Sequence, residues 1–128
     1  MITKLTHITI LVDNIDNALD FYIGKFEFKL KDDVTMPDGF RWVTVSPAEQ
    51  PEIEFALLPA SEQDKDRVGN QVGSSSIGVL ETKDCIATYQ TLKAKGVKFE
   101  GEPKAEPWGT GVVMLDLYDN KFYLNQPT

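Results

Sequence analysis

One arrangement of elements occurs twice along this chain, and this internal repeat constrains the fold more than any other feature. Each copy has a strand-like segment, an Asx residue, an amphipathic segment and a second strand-like segment. The first copy comprises His7–Asn14, Ile15–Tyr22 and Phe26–Leu30, and the second comprises Ile77–Asp84, Cys85–Leu92 and Gly96–Phe99. The copies share few identical residues, so it is the pattern that repeats. We therefore predict two tandem modules of the same build within one domain.

The amphipathic segments carry the signals of helices. Asn14 and Asp84 precede them, and each side-chain oxygen can accept a hydrogen bond from a free backbone N–H at a helix start. Apolar residues then fall on one helical stripe in each segment: Ile15, Ala18, Leu19 and Tyr22 in the first, and Ile86, Tyr89 and Leu92 in the second. Gly96 stands where a helix C-terminus favours a left-handed residue. Both segments are predicted to be helical.

Three strand-like segments follow each helix, which predicts the order β-α-β-β-β in each module. They are residues 26–34, 40–46 and 53–58 in the first half, and 97–100, 112–117 and 121–125 in the second, with a turn predicted at 103–109. The polar segment 60–75 is the predicted linker between module 1 (residues 1–59) and module 2 (residues 76–128). Its charged part, Glu62–Arg67, suits a solvated connector or a turn of helix.

Composition narrows the possible partners. The chain has 13 basic and 20 acidic residues, a net charge of −7, and no cluster of Lys and Arg. Nucleic-acid binding depends on neutralising phosphates, so a nucleic-acid partner is not expected, and an anionic membrane surface is disfavoured for the same reason. The start Met1–Leu5 lacks the apolar run of a signal peptide, and the single cysteine, Cys85, excludes an internal disulfide. We expect a cytoplasmic protein.

Several short segments complete the pattern: Phe21-Tyr22, Gly39–Val45, Pro107-Trp108-Gly109 and Asp116–Asn120. Together with the tandem modules, they resemble the vicinal oxygen chelate superfamily (the glyoxalase/bleomycin resistance protein/dioxygenase family) over nearly the whole chain. The resemblance implies an α+β fold of two βαβββ modules that form a sheet-lined cleft, with helices on the outer face. It also implies a homodimer. The reaction is not implied, because this superfamily contains both enzymes and drug-sequestering proteins.

Metal-dependent members of the family place His or carboxylate ligands at four cleft positions. Carried over residue by residue, these positions hold His7, Glu54, Ile77 and Tyr123. Ile77 has no donor atom and a neutral tyrosine is a poor ligand, whereas a catalytic site usually needs about three protein ligands. We therefore expect no catalytic metal and no other cofactor.

A metal-dependent lyase or dioxygenase remains the alternative. It would use His7 and Glu54 with a third ligand, and a one-residue slip of strand register would recruit Glu52, Glu81 or Asp116. Without a metal, His7 and Glu54 suit a hydrogen-bonded pair that orients a ligand or acts as a weak acid and base. Whether the chain is an enzyme stays open.

The other candidate site residues are mostly apolar or aromatic. Strand alternation and the family resemblance predict a cleft lined by Trp42, Ile77, Val79, Met114 and Tyr123. Trp108 suits either a lid over this cleft or an anchor for its own loop. Tyr123 can bond His7, offer its hydroxyl to a ligand, or simply pack.

Two further residues are chemical candidates. Arg41 is a candidate anion-binding residue, and a helix N-terminus can lower the pKa of a thiol such as that of Cys85. The resulting hypothesis is a metal-free protein that binds a planar or apolar small molecule in a cleft lined by His7, Trp42, Glu54, Ile77, Trp108, Met114 and Tyr123. A protein–protein module without a small ligand is the third possibility.

Overall fold

A computed structural model describes all residues, Met1–Thr128, and contains eight β-strands and two α-helices. The elements of the first half are β1 (His7–Val12), α1 (Ile15–Gly24), β2 (Lys29–Thr35), β3 (Arg41–Ser46) and β4 (Glu54–Pro59). Those of the second half are β5 (Ser76–Glu81), α2 (Cys85–Ala94), β6 (Phe99–Glu106), β7 (Gly109–Leu115) and β8 (Lys121–Pro127). The chain divides into two compact units, Met1–Val68 and Gly69–Thr128.

Each unit contains one four-stranded sheet, and the two sheets have equivalent strand orders. The order is β1-β4-β3-β2 in the first unit and β5-β8-β7-β6 in the second. The first strand of each unit pairs in parallel with the last, while the remaining pairs are antiparallel. The predicted α+β class, with two βαβββ modules in tandem, is confirmed.

The helix starts form as the sequence predicts. The Asn14 side chain accepts a 2.9 Å hydrogen bond from the backbone N–H of Asn17, and Asp84 accepts a 3.0 Å bond from Ala87. Each bond satisfies one of the backbone donors that a helix leaves without a partner in its first turn. Gly96 has a φ of 94°, the left-handed conformation expected after α2.

In the first unit, α1 covers one face of the sheet. The ring of Tyr22 lies 5.6 Å from that of Phe28 and 6.4 Å from that of Phe55, measured between centroids. Ile10 and Val12, which alternate along β1, are fully buried. Burial of such side chains stabilises the unit by roughly 1.5–3 kcal/mol each.

In the second unit, the predicted orientations of two side chains, Met114 on β7 and Ile86 on α2, are wrong. Met114 is 2% exposed and lies in register between Phe99 and Phe122, on the side covered by α2, so it does not line the opposite face. On α2 the buried residues include Cys85 and Tyr89, whereas Ile86 is 54% exposed. The buried stripe of α2 therefore begins at Cys85 and not at Ile86, while Tyr89 and Leu92 are buried as predicted.

Strand β6 continues through most of the predicted 103–109 turn, leaving only Pro107 and Trp108 between the paired residues Glu106 and Gly109. A register shift between Glu100 and Lys104 accommodates the intervening residues, and a bulge of this kind tolerates a proline that a regular ladder would not. Residues Glu62–Arg67 form a short 3₁₀ helix. No helix has the length and apolar character needed to cross a membrane.

Candidate functional site

The face of the first sheet opposite α1 brings two of the predicted site residues together. His7 and Glu54 are direct partners in the parallel pairing of β1 with β4, so both side chains project to the same side. The Nε2 atom of His7 lies 3.5 Å from Oε1 of Glu54, which is longer than a strong hydrogen bond. The His7 side chain is 39% exposed and that of Glu54 is 20% exposed. The pair is therefore partly open to solvent.

A third residue, Thr44 of β3, fixes the carboxylate. Its hydroxyl donates a 2.6 Å hydrogen bond to Oε1 of Glu54 and accepts a 3.1 Å bond from the backbone N–H of Asp32. Because the Asp32 N–H can only donate, the single hydrogen of the hydroxyl is left for the carboxylate oxygen. Thr44 is fully buried, so this anchor is held within the packed strand layer. Strand alternation places Thr44 in the same row as Trp42, but no role was predicted for it.

Trp42 completes the cluster in the first unit. Its ring lies 5.7 Å from the His7 ring, between centroids, with the planes tilted by 53°. Its partner on β2 is Val34, which is 46% exposed. We name the set of His7, Trp42, Thr44 and Glu54 the carboxylate face. It combines an aromatic surface with a partly buried negative charge.

In the second unit the equivalent face is aromatic and aliphatic. The Tyr123 hydroxyl accepts a 3.2 Å hydrogen bond from the indole N–H of Trp108. A Cβ atom at Gly111 would lie within 2.6 Å of ring atoms of Tyr123, so the missing side chain makes room for the phenol ring. We name Val79, Trp108, Gly111 and Tyr123 the tyrosine face. No role was predicted for Gly111, and nothing in the sequence alone signals one.

The pairing of β5 with β8 corrects the position of one candidate. Val79, which is 66% exposed, is the partner of Tyr123, whereas Ile77 is half-buried at a register shift between Ser76 and Gly78. Ile77 is therefore not the strand partner of Tyr123, whereas His7 is the strand partner of Glu54. Trp108, in contrast, contacts Tyr123 directly. It lies in the two-residue turn between β6 and β7.

The donor atoms do not fit a catalytic metal ion. Nowhere do three or more His, Cys, Asp or Glu side chains lie close enough together to hold a metal. His7 and Glu54 supply two donors, and the Glu54 oxygen nearest to His7 is already bonded to Thr44. Catalytic sites for divalent ions usually have about three protein ligands, so His7 and Glu54 alone fall short of such a site.

Three residues were candidates for a third ligand, and of these Glu81 is exposed at the end of β5. The register of β1 with β4 has no slip, so Glu54 and not Glu52 faces His7. Asp116 is 1% exposed and accepts hydrogen bonds from the backbone N–H groups of Tyr118 and Asn120 and from the Asn120 amide. This carboxylate therefore stabilises the turn before β8.

Arg41 does not have a free guanidinium group for anion binding. It donates two hydrogen bonds of 2.9 Å to the carboxylate of Asp33 and a third, also 2.9 Å, to Asp16 on α1. These bonds raise the pKa of Arg41, and they hold the pKa of Asp33 below its usual value. The network ties the β2–β3 hairpin to the helix.

The thiol of Cys85 differs from the sequence expectation. The side chain is fully buried, and burial together with the charge of Asp84 raises its pKa. The shift in pKa is thus opposite in direction to the one expected for a thiol at a helix N-terminus. A buried thiol with a raised pKa forms little thiolate, which is the nucleophilic form. The structure gives no support to nucleophilic catalysis at Cys85.

Two tandem βαβββ units, each with a four-stranded sheet, define the fold class of the chain. The chain belongs to the Glyoxalase/Bleomycin resistance protein/Dioxygenase superfamily, whose family model matches residues 4–125.

Individual relatives agree with this assignment. An uncharacterized protein of Shewanella frigidimarina (strain NCIMB 400) is 34% identical over 125 residues, which is 96% of this chain and 93% of the relative. The crystal structure of UcmS2 is 34% identical, with a TM-score of 0.87, and the match covers 98% of this chain and 99% of UcmS2. TnmS3, an antibiotic binding protein from Streptomyces sp. CB03234, is 27% identical with a TM-score of 0.78, covering 99% and 98%.

Proposed function

We propose that this protein binds a small organic molecule, without a catalytic metal, and that the carboxylate face contributes to the binding surface. The observation that carries the proposal is the partial exposure of an indole, an imidazole and an anchored carboxylate next to one another. Such a combination of apolar surface with a few fixed polar groups is typical of ligand sites. The similarity to an antibiotic binding protein adds support.

The proposal extends to the aromatic character of the ligand. Trp42 offers one ring face in the first unit, and Trp108 with Tyr123 offers two more in the second. Aromatic side chains favour stacked or edge-to-face contacts with other rings, and such a contact contributes about 0.5–1.5 kcal/mol beyond burial. A planar or apolar molecule suits either of these surfaces better than a small hydrophilic metabolite.

A thermal-shift screen tests ligand binding. Tetracycline, ciprofloxacin and doxorubicin provide planar aromatic antibiotics, and any ligand that binds only the folded protein raises the unfolding temperature. We expect at least one to stabilise the protein and to bind about tenfold more weakly to Trp42→Ala. Phe40→Ala, which removes an exposed ring from the same hairpin, is the control. A failure of every planar compound would instead favour the protein–protein module.

Metal analysis tests the proposal that binding occurs without a catalytic metal. Protein purified without chelator is expected to contain far less than one Zn, Mn, Ni or Fe ion per chain, because two donors hold such ions weakly. Stoichiometric metal that is lost in His7→Ala would establish the metal-dependent lyase or dioxygenase instead.

We also propose that the protein is a homodimer, as its resemblance to the family implies, and that it is cytoplasmic, as the single cysteine favours. Size-exclusion chromatography with light scattering tests the assembly, and a mass of two chains is the expected result.

A further inference from the structure

Glu54 is a partly buried carboxylate without a Lys or Arg partner. Asp33, Asp119 and Glu100 each pair with a Lys or Arg side chain. Glu54 instead accepts one hydrogen bond from Thr44 at Oε1 and lies 3.5 Å from His7, which is charged only when protonated. Its second oxygen, Oε2, makes no hydrogen bond within the protein. One acceptor of a fixed, partly buried carboxylate is thus unused.

The surroundings of Glu54 favour a positively charged group. A carboxylate that is only 20% exposed has lost part of its hydration, so a charge-assisted hydrogen bond to it is stronger than one on the open surface. The bond to the buried Thr44 hydroxyl fixes its orientation before any ligand arrives. A preorganised acceptor loses little entropy on binding, and a ligand anion placed here would be repelled.

Two further features act in the same direction. Trp42 and His7 present neighbouring rings, and an indole attracts a cation placed within about 6 Å of its face. The chain carries a net charge of −7, which draws cations toward the protein over longer distances. The net charge, the aromatic rings and the unused carboxylate oxygen thus all favour a cationic ligand.

We propose that Glu54 makes the carboxylate face selective for planar aromatic molecules that carry a protonated amine or amidinium group. The cationic N–H group donates a hydrogen bond to Oε2 of Glu54, while the ring system packs against Trp42. This inference rests on the proposed function, because it names the class of molecule that the same site accepts.

Three fused-ring probes of similar shape and different charge test the proposal. At neutral pH proflavine is a cation, acridine is neutral and anthracenecarboxylate is an anion. Isothermal titration calorimetry on the full chain is expected to show proflavine binding roughly tenfold more tightly than acridine, with anthracenecarboxylate the weakest. In Glu54→Gln the preference for proflavine over acridine is expected to disappear, while acridine binds as before.

Matched variants make the test specific. Glu54→Gln keeps the shape of the side chain and an oxygen that accepts from Thr44, so the fold is retained. Glu52→Gln changes the net charge by the same amount at an exposed residue outside the strand, and it is expected to keep the preference. An equal loss in both variants would overturn the proposal, because it would assign the preference to overall charge.

The remaining outcomes separate the inference from the function on which it rests. If all three probes bind wild-type protein with equal affinity, the selectivity is overturned while small-molecule binding stands. If none of the three binds, and none of the antibiotics in the thermal-shift screen binds either, the proposed function fails and the inference fails with it.

Discussion

The two units share one fold and differ in the chemistry of equivalent faces. Each has the same strand order, the same capped helix and an aromatic core residue on its last strand, Phe55 or Phe122. On the opposite sides, one sheet presents the anchored carboxylate of Glu54 and the other presents the phenol of Tyr123. Packing against the helix constrains the side chains on one face of each sheet. The side chains on the opposite face are not constrained in this way and can differ between the units.

The largest expected effect tests whether the helix-covered rows are equivalent. Phe55→Ala and Phe122→Ala each remove a ring that is at most 4% exposed, and each should lower the free energy of unfolding by about 3–5 kcal/mol. Chemical denaturation measures both. Phe40→Ala, at an exposed position, should change it by about 0.5 kcal/mol or less. A small effect at only one of the two buried rings would show that the units are not built alike.

A smaller effect is expected at the anchor of the carboxylate face. Thr44→Val keeps the shape of the side chain but leaves the backbone N–H of Asp32 and an oxygen of Glu54 without a buried partner. We expect a loss of about 1–3 kcal/mol in denaturant unfolding. Thr110→Val in β7, where the hydroxyl makes no hydrogen bond within the protein, is the control and should be close to neutral. Equal stabilities of the two variants would contradict a role for Thr44 as anchor.

Much of the fold could be predicted because it depends on local signals. The two helix caps involve neighbours in sequence, and both helices begin as predicted. The burial of Cys85 in place of Ile86 on α2 and the length of β6 were missed. Both depend on contacts with other strands, such as the pairing of β6 with β7, that periodicity does not encode.

The candidate site was predictable only where strand pairing is regular. His7 and Glu54 come together as expected because β1 and β4 pair without a slip. Ile77 was misplaced because of a register shift in β5, and Met114 because its strand, β7, was assigned the wrong face. The contacts of Thr44 with Glu54, and of Gly111 with Tyr123, join residues distant in sequence and required the structure.

The helix caps provide a third test of the similarity between the units. Asn14→Ala and Asp84→Ala each remove an acceptor for one backbone N–H, and each should destabilise its helix by about 1 kcal/mol. Thermal unfolding followed by circular dichroism measures the loss. A neutral result for either variant would mean that another group replaces the cap in that unit.

The smallest effect on stability is expected at the tyrosine face. There we expect a specific change in tryptophan fluorescence. In Gly111→Ala the new methyl group must displace the Tyr123 ring, which breaks the hydrogen bond to Trp108. In a Trp42→Phe background Trp108 is the sole tryptophan, so its emission reports the change directly. Gly78→Ala is the matched control in the same sheet, because a Cβ atom at Gly78 would have no neighbour within 4 Å. Identical spectra from the two alanine variants would contradict the positioning role of Gly111.

The central claim is that the carboxylate face binds an organic ligand and not a metal ion. His7 is the sole histidine, so its ring protons give one identifiable set of NMR signals. We expect proflavine to shift these signals at stoichiometric concentration, because its rings pack beside His7 and Trp42, whereas equimolar Mn²⁺ should leave them sharp. Broadening of the His7 signals by equimolar Mn²⁺, with no response to proflavine, would contradict the account.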